Sequence, residues 1–407
     1  MNKTTLNDTC DSGTKDTTVQ CPNCLGAGMC VFHAVGEVPG NSCLLLDSRE
    51  EALAYPHGHL ALGFCPVCGF ISNTAFDPGV QTYSLGYEEQ QSFSPRFRAF
   101  QTALIRRLID AYGVRGKDVV EIGCGKGDFL IELCQAGGNR GVGIDPACEP
   151  DRMAGRTNGQ VRFIPEYYSE GHACLPCDVL CCRHTLEHIH QTHAFIRQVR
   201  RALGDRPEAL VFFEVPDVVR VLRDSAFWDV YYEHCSYFSL GSLARLFRAN
   251  GFAIQELAKD FDNQYLLLAA HPTTDSNGSR FPEEDDLKQL ENDVRQFTIA
   301  VRRRVDGWRT DLEHMRKQGR RAAIWGSGSK CVSFLSAVEA GNEIAAVVDI
   351  NPHRHDRFLP GSGRIISPPA DLPSYRPDLV IVMNPIYLDE VACDIRAMGM
   401  DCRITAV

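Results

Sequence analysis

The stretch Val119–Leu130 constrains the fold of this chain more than any other stretch. A short apolar run, three glycines at every second position and an amphipathic segment follow one another there, which predicts a buried strand turning sharply into a helix. Glycine permits positive φ and lets a ligand lie against the peptide groups at a helix start. The spacing E-x-G-x-G-x-G, which begins at Glu121, fits neither a phosphate-binding loop nor the dinucleotide pattern G-x-G-x-x-G. The next predicted strand ends on Asp145, about 20 residues later, where an acid can hold a ribose diol.

With this acid in place, the stretch resembles the class I S-adenosylmethionine-dependent methyltransferases. The resemblance implies that Asp145 binds the ribose hydroxyls of the cofactor, and that the residues lining the cofactor are Glu121, Gly123, Cys124, Gly125 and Arg183. A glycine-rich turn in another α/β fold is the alternative.

Size and charge narrow the class of protein. A chain of 407 residues suggests two or three domains of roughly 150 residues each. The net charge of −10 disfavours a nucleic acid partner, which would reward a basic face. The apolar runs are shorter than the roughly 20 residues of a membrane helix, and residues 1–20 show no signal peptide. We therefore expect a cytoplasmic protein with no membrane partner, in which the 18 cysteines are metal ligands and buried thiols rather than disulfides.

Two C-P-x-C pairs near the start of the chain predict a metal site. The pairs are Cys21 with Cys24 and Cys65 with Cys68, and together they supply the four thiolates of a closed structural zinc site. Four unrelated thiols or a redox pair are the alternative. The spare cysteines Cys10, Cys30 and Cys43 leave the ligand assignment open, and a third C-x-x-C, Cys174 with Cys177, is predicted to be buried rather than metal-binding.

The rest of the first half reads as a parallel α/β unit. Segment 76–94 carries Tyr83, Tyr87 and Phe93 and could form a lid over the cofactor or pack under the zinc module, and Ser94-Pro95 opens a helix. Strands are predicted at 161–164, 178–182 and 209–216, a helix at 243–252, and two antiparallel strands after it. Because ligands gather at the carboxyl ends of parallel strands, Arg183 and His184 fall at the mouth of the site.

The segment Phe227–Ser239 is the most informative about chemistry. Tyr231, Glu233 and His234 are packed into four residues just after a strand end, and histidine next to a carboxylate suits proton transfer. Together with the cysteine pairs and the glycine loop, this segment resembles the C-methyltransferases that act on nucleotide-linked 4-keto-deoxysugars, which show Y-H-E-H where this chain has Y-Y-E-H. The resemblance implies that Tyr231 and His234, helped by His184, deprotonate the carbon beside the ketone. A structural role for Glu233 and His234 at the sheet edge is the alternative.

The last third of the chain predicts a linker, a long helix and a second α/β unit. Apolar residues from Leu287 to Met315 recur at steps of three and four, typical of one amphipathic helix lying across two domains or a dimer seam. The loop W-G-S-G-S-K at 325–330 resembles the carboxy-terminal domain of the same sugar methyltransferases, although the family usually has a G-Y-G-A-P-A-K type loop. The resemblance implies that this domain binds the substrate through Gly326, Gly328, Lys330 and Asn384.

The predicted architecture is α/β with a zinc-binding module, a class I methyltransferase domain with a Rossmann-like fold, and a smaller Rossmann-like domain. The expected boundaries are a disordered tail 1–20, the zinc module 21–80, the methyltransferase domain 81–275, a linker and long helix 276–318, and the substrate domain 319–407. The predicted function is C-methylation of a small molecule. The expected oligomeric state is a monomer or a homodimer. The alternatives are an O- or N-methyltransferase acting on a phosphorylated or carboxylated intermediate, and a zinc-bearing binding protein with an inactive methyltransferase fold.

Overall fold

The structure, a computed structural model, describes residues 19–81, 86–275 and 279–407. Its strands are, in chain order, β1 (Cys30–Pro39), β2 (His57–Phe64), β3 (Ile71–Asn73), β4 (Asp118–Ile122), β5 (Arg140–Ile144), β6 (Val161–Ile164), β7 (Val179–Arg183), β8 (Leu210–Pro216), β9 (Ser236–Tyr237), β10 (Phe252–Asp260), β11 (Tyr265–Pro272), β12 (Ala322–Trp325), β13 (Ile344–Val348), β14 (Ile366–Ser367), β15 (Leu379–Val382) and β16 (Arg403–Ala406). Its helices are α1 (Arg49–Leu53), α2 (Pro95–Ala111), α3 (Asp128–Gly137), α4 (Pro150–Met153), α5 (Thr192–Leu203), α6 (Val218–Arg223), α7 (Leu240–Ala249), α8 (Leu287–Lys317), α9 (Ser329–Val338), α10 (Leu372–Tyr375) and α11 (Leu388–Ala397). Residues 1–18 of the predicted tail, with Cys10, lie outside the described residues, as do Tyr83 and part of the predicted linker.

The central sheet has the strand order β10-β11-β8-β7-β4-β5-β6. Strands β4 to β8 are parallel, whereas β11 runs antiparallel to β8 and β10 antiparallel to β11. This is the predicted class I methyltransferase fold, with the carboxyl ends of β4, β5 and β7 at one edge. The predicted strand at 161–164 matches β6. Helix α7 begins at Leu240, three residues earlier than predicted, because Ser239 caps it by accepting a hydrogen bond from the Ser242 N–H.

The first sheet has the order β1-β2-β3-β9 and joins the cysteine-bearing module to the methyltransferase domain. Strand β9, Ser236–Tyr237, follows the predicted catalytic segment directly and pairs antiparallel with β3. The expected boundary between residues 80 and 81 is therefore crossed by backbone hydrogen bonds. One consequence is that the module is fixed next to His234.

The long amphipathic helix is present as α8, which begins at Leu287. Its buried face, which includes Leu290, Phe297 and Leu312, belongs to a single core shared with β2 of the first module and α9 of the last domain. The helix therefore lies across the domains, as one of the two predicted arrangements has it. No helix in the described ranges combines the length and apolar composition that crossing a membrane requires.

The last domain is a parallel sheet of order β14-β13-β12-β15-β16, with a glycine-containing loop between β12 and α9. The W-G-S-G-S-K loop at 325–330 begins at the last residue of β12. The second α/β unit is therefore confirmed, and its loop faces the same cleft as the glycine loop of the first.

Candidate active site

The four cysteines of the two pairs lie together in the structure. Their sulfur atoms are all within 4.8 Å of one another, and the pairs Cys21–Cys68 and Cys24–Cys65 are each 3.7 Å apart. Four sulfurs placed tetrahedrally about 2.3 Å from a zinc ion would lie roughly 3.8 Å apart. The donor set and its spacing therefore fit zinc. The spare thiol Cys30 and the thiol of Cys174 face carbonyl oxygens at positions 28 and 171 instead. The prediction that Cys174 is buried was wrong, since its thiol is exposed.

The glycine loop has the backbone that its sequence predicts. Gly123, Gly125 and Gly127 have φ values of 70°, 51° and 75°, a region that favours glycine. A Cβ atom on Gly123 would stand 1.9 Å from the Thr185 hydroxyl. The bare loop thus brings β4 close to the residues that follow β7.

Two acids flank this loop, Glu121 near the end of β4 and Asp145 directly after β5. Asp145 accepts hydrogen bonds from the Gly125 N–H at 2.9 Å and the Ala147 N–H at 2.7 Å. Glu121 is 2% exposed, and its Oε2 has no hydrogen-bond partner among the described residues. Burial, Asp145 and Glu214 raise the pKa of Glu121 to about 8, against the opposing effect of Arg183. The glycines leave room for a ligand against the backbone of the loop. Glu121 offers a carboxylate oxygen that has no partner among the described residues, and Asp145 is placed where an acid binds a ribose diol. These groups fit the cationic nucleoside S-adenosylmethionine.

The other two predicted cofactor residues, Cys124 and Arg183, line the same cavity but are packed. The Arg183 guanidinium donates to both oxygens of Glu214, at 3.1 and 3.2 Å, and lies 4.1 Å above the Phe129 ring. Burial strongly raises the pKa of Cys124, which sits next to Cys148. Arg183 therefore holds Glu214 and packs against Phe129 of α3, and Cys124 contributes a small apolar side chain to the cavity lining.

His234 is in contact with Tyr231 and with a histidine that the sequence assigned no role. The Tyr231 hydroxyl lies 3.1 Å from His234 Nε2, and the His188 ring packs edge-on against His234 with centroids 4.8 Å apart. His188 Nδ1 is 3.0 Å from the Glu233 carbonyl oxygen. Burial lowers the pKa of His234 well below 6.5, and His188 and His184 lower it further. The imidazole is therefore neutral near pH 7.

His184 lies between two carboxylates. Its Nε2 is 2.6 Å from Glu214 and its Nδ1 is 3.4 Å from Glu187. Burial alone would lower the pKa of His184, but Glu214 and Glu187 raise it to about 9. His184 is consequently a cation at neutral pH, and the histidine ring that packs against His234 is that of His188. His188 lies in the short segment between the end of β7 and the start of α5, where a parallel sheet gathers its ligand-binding residues.

The Glu233 carboxylate is bound by other domains. It accepts from Asn41 Nδ2 at 3.1 Å, the Ser42 N–H at 2.8 Å and the Ser329 hydroxyl at 3.4 Å, with the Tyr87 hydroxyl at 3.5 Å. These donors come from the first module, from segment 86–94 and from the last domain. These contacts favour the structural alternative for Glu233 over a direct pairing with the His234 ring.

The predicted substrate residues Gly326, Gly328, Lys330 and Asn384 all line the cavity. Lys330 forms an ion pair with Asp229, and burial lowers the pKa of Lys330 strongly. Asn384 exchanges two amide hydrogen bonds with Gln264, at 3.0 and 3.1 Å. Two of the four residues therefore bind the methyltransferase domain directly, and a phosphate at Lys330 would compete with Asp229.

One cavity of about 1130 Å³ connects these groups. Its walls include the glycine loop, Tyr231 and His234, segment 86–94 and the loop after β12. Such a volume accommodates a cofactor together with a second small molecule. The glycine loop, the candidate base His234 and the last domain therefore line one cavity.

The comparisons with known proteins agree with this geometry. Residues 95–257 match the family model for a methyltransferase domain, and residues 270–401 match the model for a C-methyltransferase C-terminal domain. The C-methyltransferase NovU of Streptomyces niveus is 28% identical over 312 residues, covering 70% of this chain and 72% of NovU.

Solved structures resemble part of the chain. A putative S-adenosylmethionine-dependent methyltransferase from Listeria monocytogenes matches 43% of this chain and 99% of its own, with 15% identity and a TM-score of 0.33. The 1,6-didemethyltoxoflavin-N1-methyltransferase of Burkholderia thailandensis matches 43% and 79%, with 20% identity and a TM-score of 0.34.

The strand order, the glycine loop and the two domain matches define an S-adenosylmethionine-dependent methyltransferase of class I. A match to a C-methyltransferase C-terminal domain follows the match to the methyltransferase domain, and together with the similarity to NovU it supports a C-methyltransferase family for this chain.

Proposed function

We propose that this enzyme methylates the carbon next to a ketone in a nucleotide-linked deoxysugar or a related natural-product intermediate, with His234 as the base. The observation that supports this proposal best is the setting of His234. The ring is buried, hydrogen-bonded to Tyr231 and packed against His188, in the same cavity as the glycine loop.

The proton step follows from the charge of this ring. A neutral imidazole has a free lone pair, so His234 can accept a proton from a carbon made acidic by the adjacent ketone. Tyr231 fixes the plane of the ring through its hydroxyl. Loss of the proton to His234 leaves an enolate. S-adenosylmethionine held at the glycine loop would supply the methyl group to the enolate carbon, with its C–S bond broken and S-adenosylhomocysteine as the leaving group. Because the low pKa makes His234 a weak base, the cavity must also stabilise the enolate oxygen.

A nucleoside group on the acceptor is supported by a repeated structural pattern. In the first unit Asp145 accepts from the Gly125 and Ala147 N–H groups; in the second, Asp349 accepts from the Ser327 N–H at 2.7 Å and the Asn351 N–H at 2.8 Å. An acid bound to a glycine loop in this way suits a ribose-type ligand. We therefore assign the loop at Gly326 and Gly328 to the nucleotide end of the acceptor.

We also assign zinc to Cys21, Cys24, Cys65 and Cys68. All four protein ligands are thiols, so a bound ion has no open position and its role is structural. Glu187, His188 and His234 also bring possible ligand atoms within 4.8 Å of one another, but proton transfer requires the His234 lone pair to be free.

The decisive experiment uses cofactor with a deuterated methyl group and a nucleotide-linked 4-keto-deoxysugar. We expect a product with three deuterium atoms that has lost one hydrogen from the carbon beside the ketone, measured by mass spectrometry and NMR. The matched control is the same sugar reduced to the alcohol, which should not react. A label on oxygen or nitrogen would refute C-methylation and establish the alternative acceptor class.

A further inference from the structure

A carboxylate from outside the methyltransferase strands faces the glycine loop. Glu89 lies in segment 86–94, whose residues Gln90 and Ser92 donate to Asp128 at the start of α3, at 2.7 and 2.8 Å. Glu89 Oε1 is so close to the loop that a Cβ atom on Gly125 would stand 2.2 Å from it. Glu89 Oε2 is buried and has no hydrogen-bond partner in the described part of the chain.

The charged groups around Glu89 favour the binding of a cation next to its carboxylate. The groups that face it are Asp145, Lys126 and Glu88, and the Lys126 ammonium already binds the Ala147 carbonyl and Glu149. Burial, together with Asp145, raises the pKa of Glu89 to about 8. A buried carboxylate without a partner is costly, and a positive ligand offsets that cost.

The neighbouring acid Glu88 is bound differently. Its carboxylate accepts from Asn351 at 3.0 Å and from Arg152 at 3.1 Å, and Arg354 donates to its carbonyl oxygen. Glu88 thus ties the segment to the last domain. Glu89 points toward the cofactor loop with one oxygen unused.

We propose that Glu89 is a cofactor-binding residue whose carboxylate pairs with a positive charge at the methionine end of S-adenosylmethionine, releasing its own proton to solvent as the cofactor enters. The cofactor carries two such charges, the sulfonium and the α-ammonium. This inference rests on the cofactor dependence of the enzyme and is independent of the proposed acceptor.

Isothermal titration calorimetry tests the proposal without turnover. Titrations at pH 7 in buffers of different ionisation heat give the protons released when S-adenosylmethionine binds. We expect the wild type to release up to one proton more than Glu89→Gln, and the variant to bind roughly tenfold more weakly, as loss of a charged hydrogen bond implies. Since binding releases protons, wild-type affinity should rise with pH up to about 8 and less steeply in the variant.

Two further variants and a second ligand complete the test. Glu88→Gln is the matched control and should keep the wild-type proton count, and Glu89→Asp should keep most of it. With S-adenosylhomocysteine, which lacks the sulfonium charge, persistence of the Glu89-dependent release identifies the ammonium as the partner, and its loss identifies the sulfonium. Equal proton counts and equal Kd for the wild type and Glu89→Gln would overturn the proposal. If Glu89→Gln does not fold, a wild type that releases no protons overturns it as well.

Discussion

Replacing Glu233 with glutamine distinguishes a positioning role from a catalytic one. The Glu233 carboxylate is fully buried and accepts hydrogen bonds from residues in three parts of the chain. Glutamine has the same shape and can keep its oxygen toward Asn41 and the Ser42 N–H. Its amide group then faces the hydroxyls of Tyr87 and Ser329, which can rotate to accept. The substitution therefore removes the charge and preserves the connections.

The magnitude follows from the number and type of these bonds. A hydrogen bond to a charged group contributes about 1.5–3 kcal/mol and a neutral one about 0.5–1.5 kcal/mol, so Glu233→Gln should lower the free energy of unfolding by about 1–3 kcal/mol. Glu233→Ala removes the shared acceptor of the Asn41 amide and the Ser42 N–H, and the loss of an acceptor costs about 1–3 kcal/mol for each buried donor. Its total cost should be about 3–5 kcal/mol, of the order found when a buried charge pair is broken.

Urea unfolding and steady-state kinetics are measured on the same preparations. We expect kcat of Glu233→Gln within about tenfold of the wild type, because His188 and His234 keep their places, and a larger loss in Glu233→Ala that follows its stability. If Glu233→Gln were to lose roughly two to four decades in kcat, the usual weight of a general base, while unfolding as the wild type does, the carboxylate would belong to proton transfer and the positioning role would be wrong.

Three further predictions concern the base, the metal and the charged histidine. His234→Ala should lower kcat by roughly two to four decades with an unchanged Kd for the cofactor, whereas His190→Ala, which removes a ring stacked on a phenylalanine in the same cavity, should keep most of kcat; equal kcat losses would contradict the assignment. Cys65→Ser should lose bound zinc by elemental analysis and lower Tm, while Cys174→Ser, an exposed thiol, should do neither. Because the pKa of His184 is raised to about 9, the stability it contributes is complete below pH 6.5 and is lost as pH rises through 9. Unfolding free energies of wild type and His184→Gln should therefore converge above pH 9, and a gap that persists there would contradict the pKa.

The features that the sequence predicted well are those that depend on residues close together in the sequence. The glycine loop, the two cysteine pairs and the apolar row of α8 depend on spacings between residues close in sequence, and each leads to a local backbone that few alternatives satisfy. The proline after Ser94 likewise marked the start of α2, where the Ser94 hydroxyl accepts from the Phe97 N–H. For these elements, local chemistry was sufficient.

The features that sequence did not predict depend on how the domains meet. Asn41 and Ser329 bind Glu233 from 192 and 96 residues away, and no local pattern reports such a contact. The pairing of β9 with β3 is of the same kind. His188 was missed for a different reason: His184, His188 and His190 all lie between β7 and α5, and only the turn after the strand decides which of them faces His234.

The contacts of the segment Phe227–Ser239 suggest how acceptor binding and proton removal are connected. Asp229 pairs with Lys330 and Glu233 accepts from Ser329, so the first two residues of α9, directly after the loop that follows β12, bind the segment that carries His234. The Ser333 hydroxyl of α9 donates to the Val230 carbonyl at 2.6 Å. An acceptor bound at this loop is therefore placed by the same residues that place the base. Because one segment serves both roles, an altered acceptor preference at Ser329 or Lys330 should be accompanied by a change in kcat as well as KM.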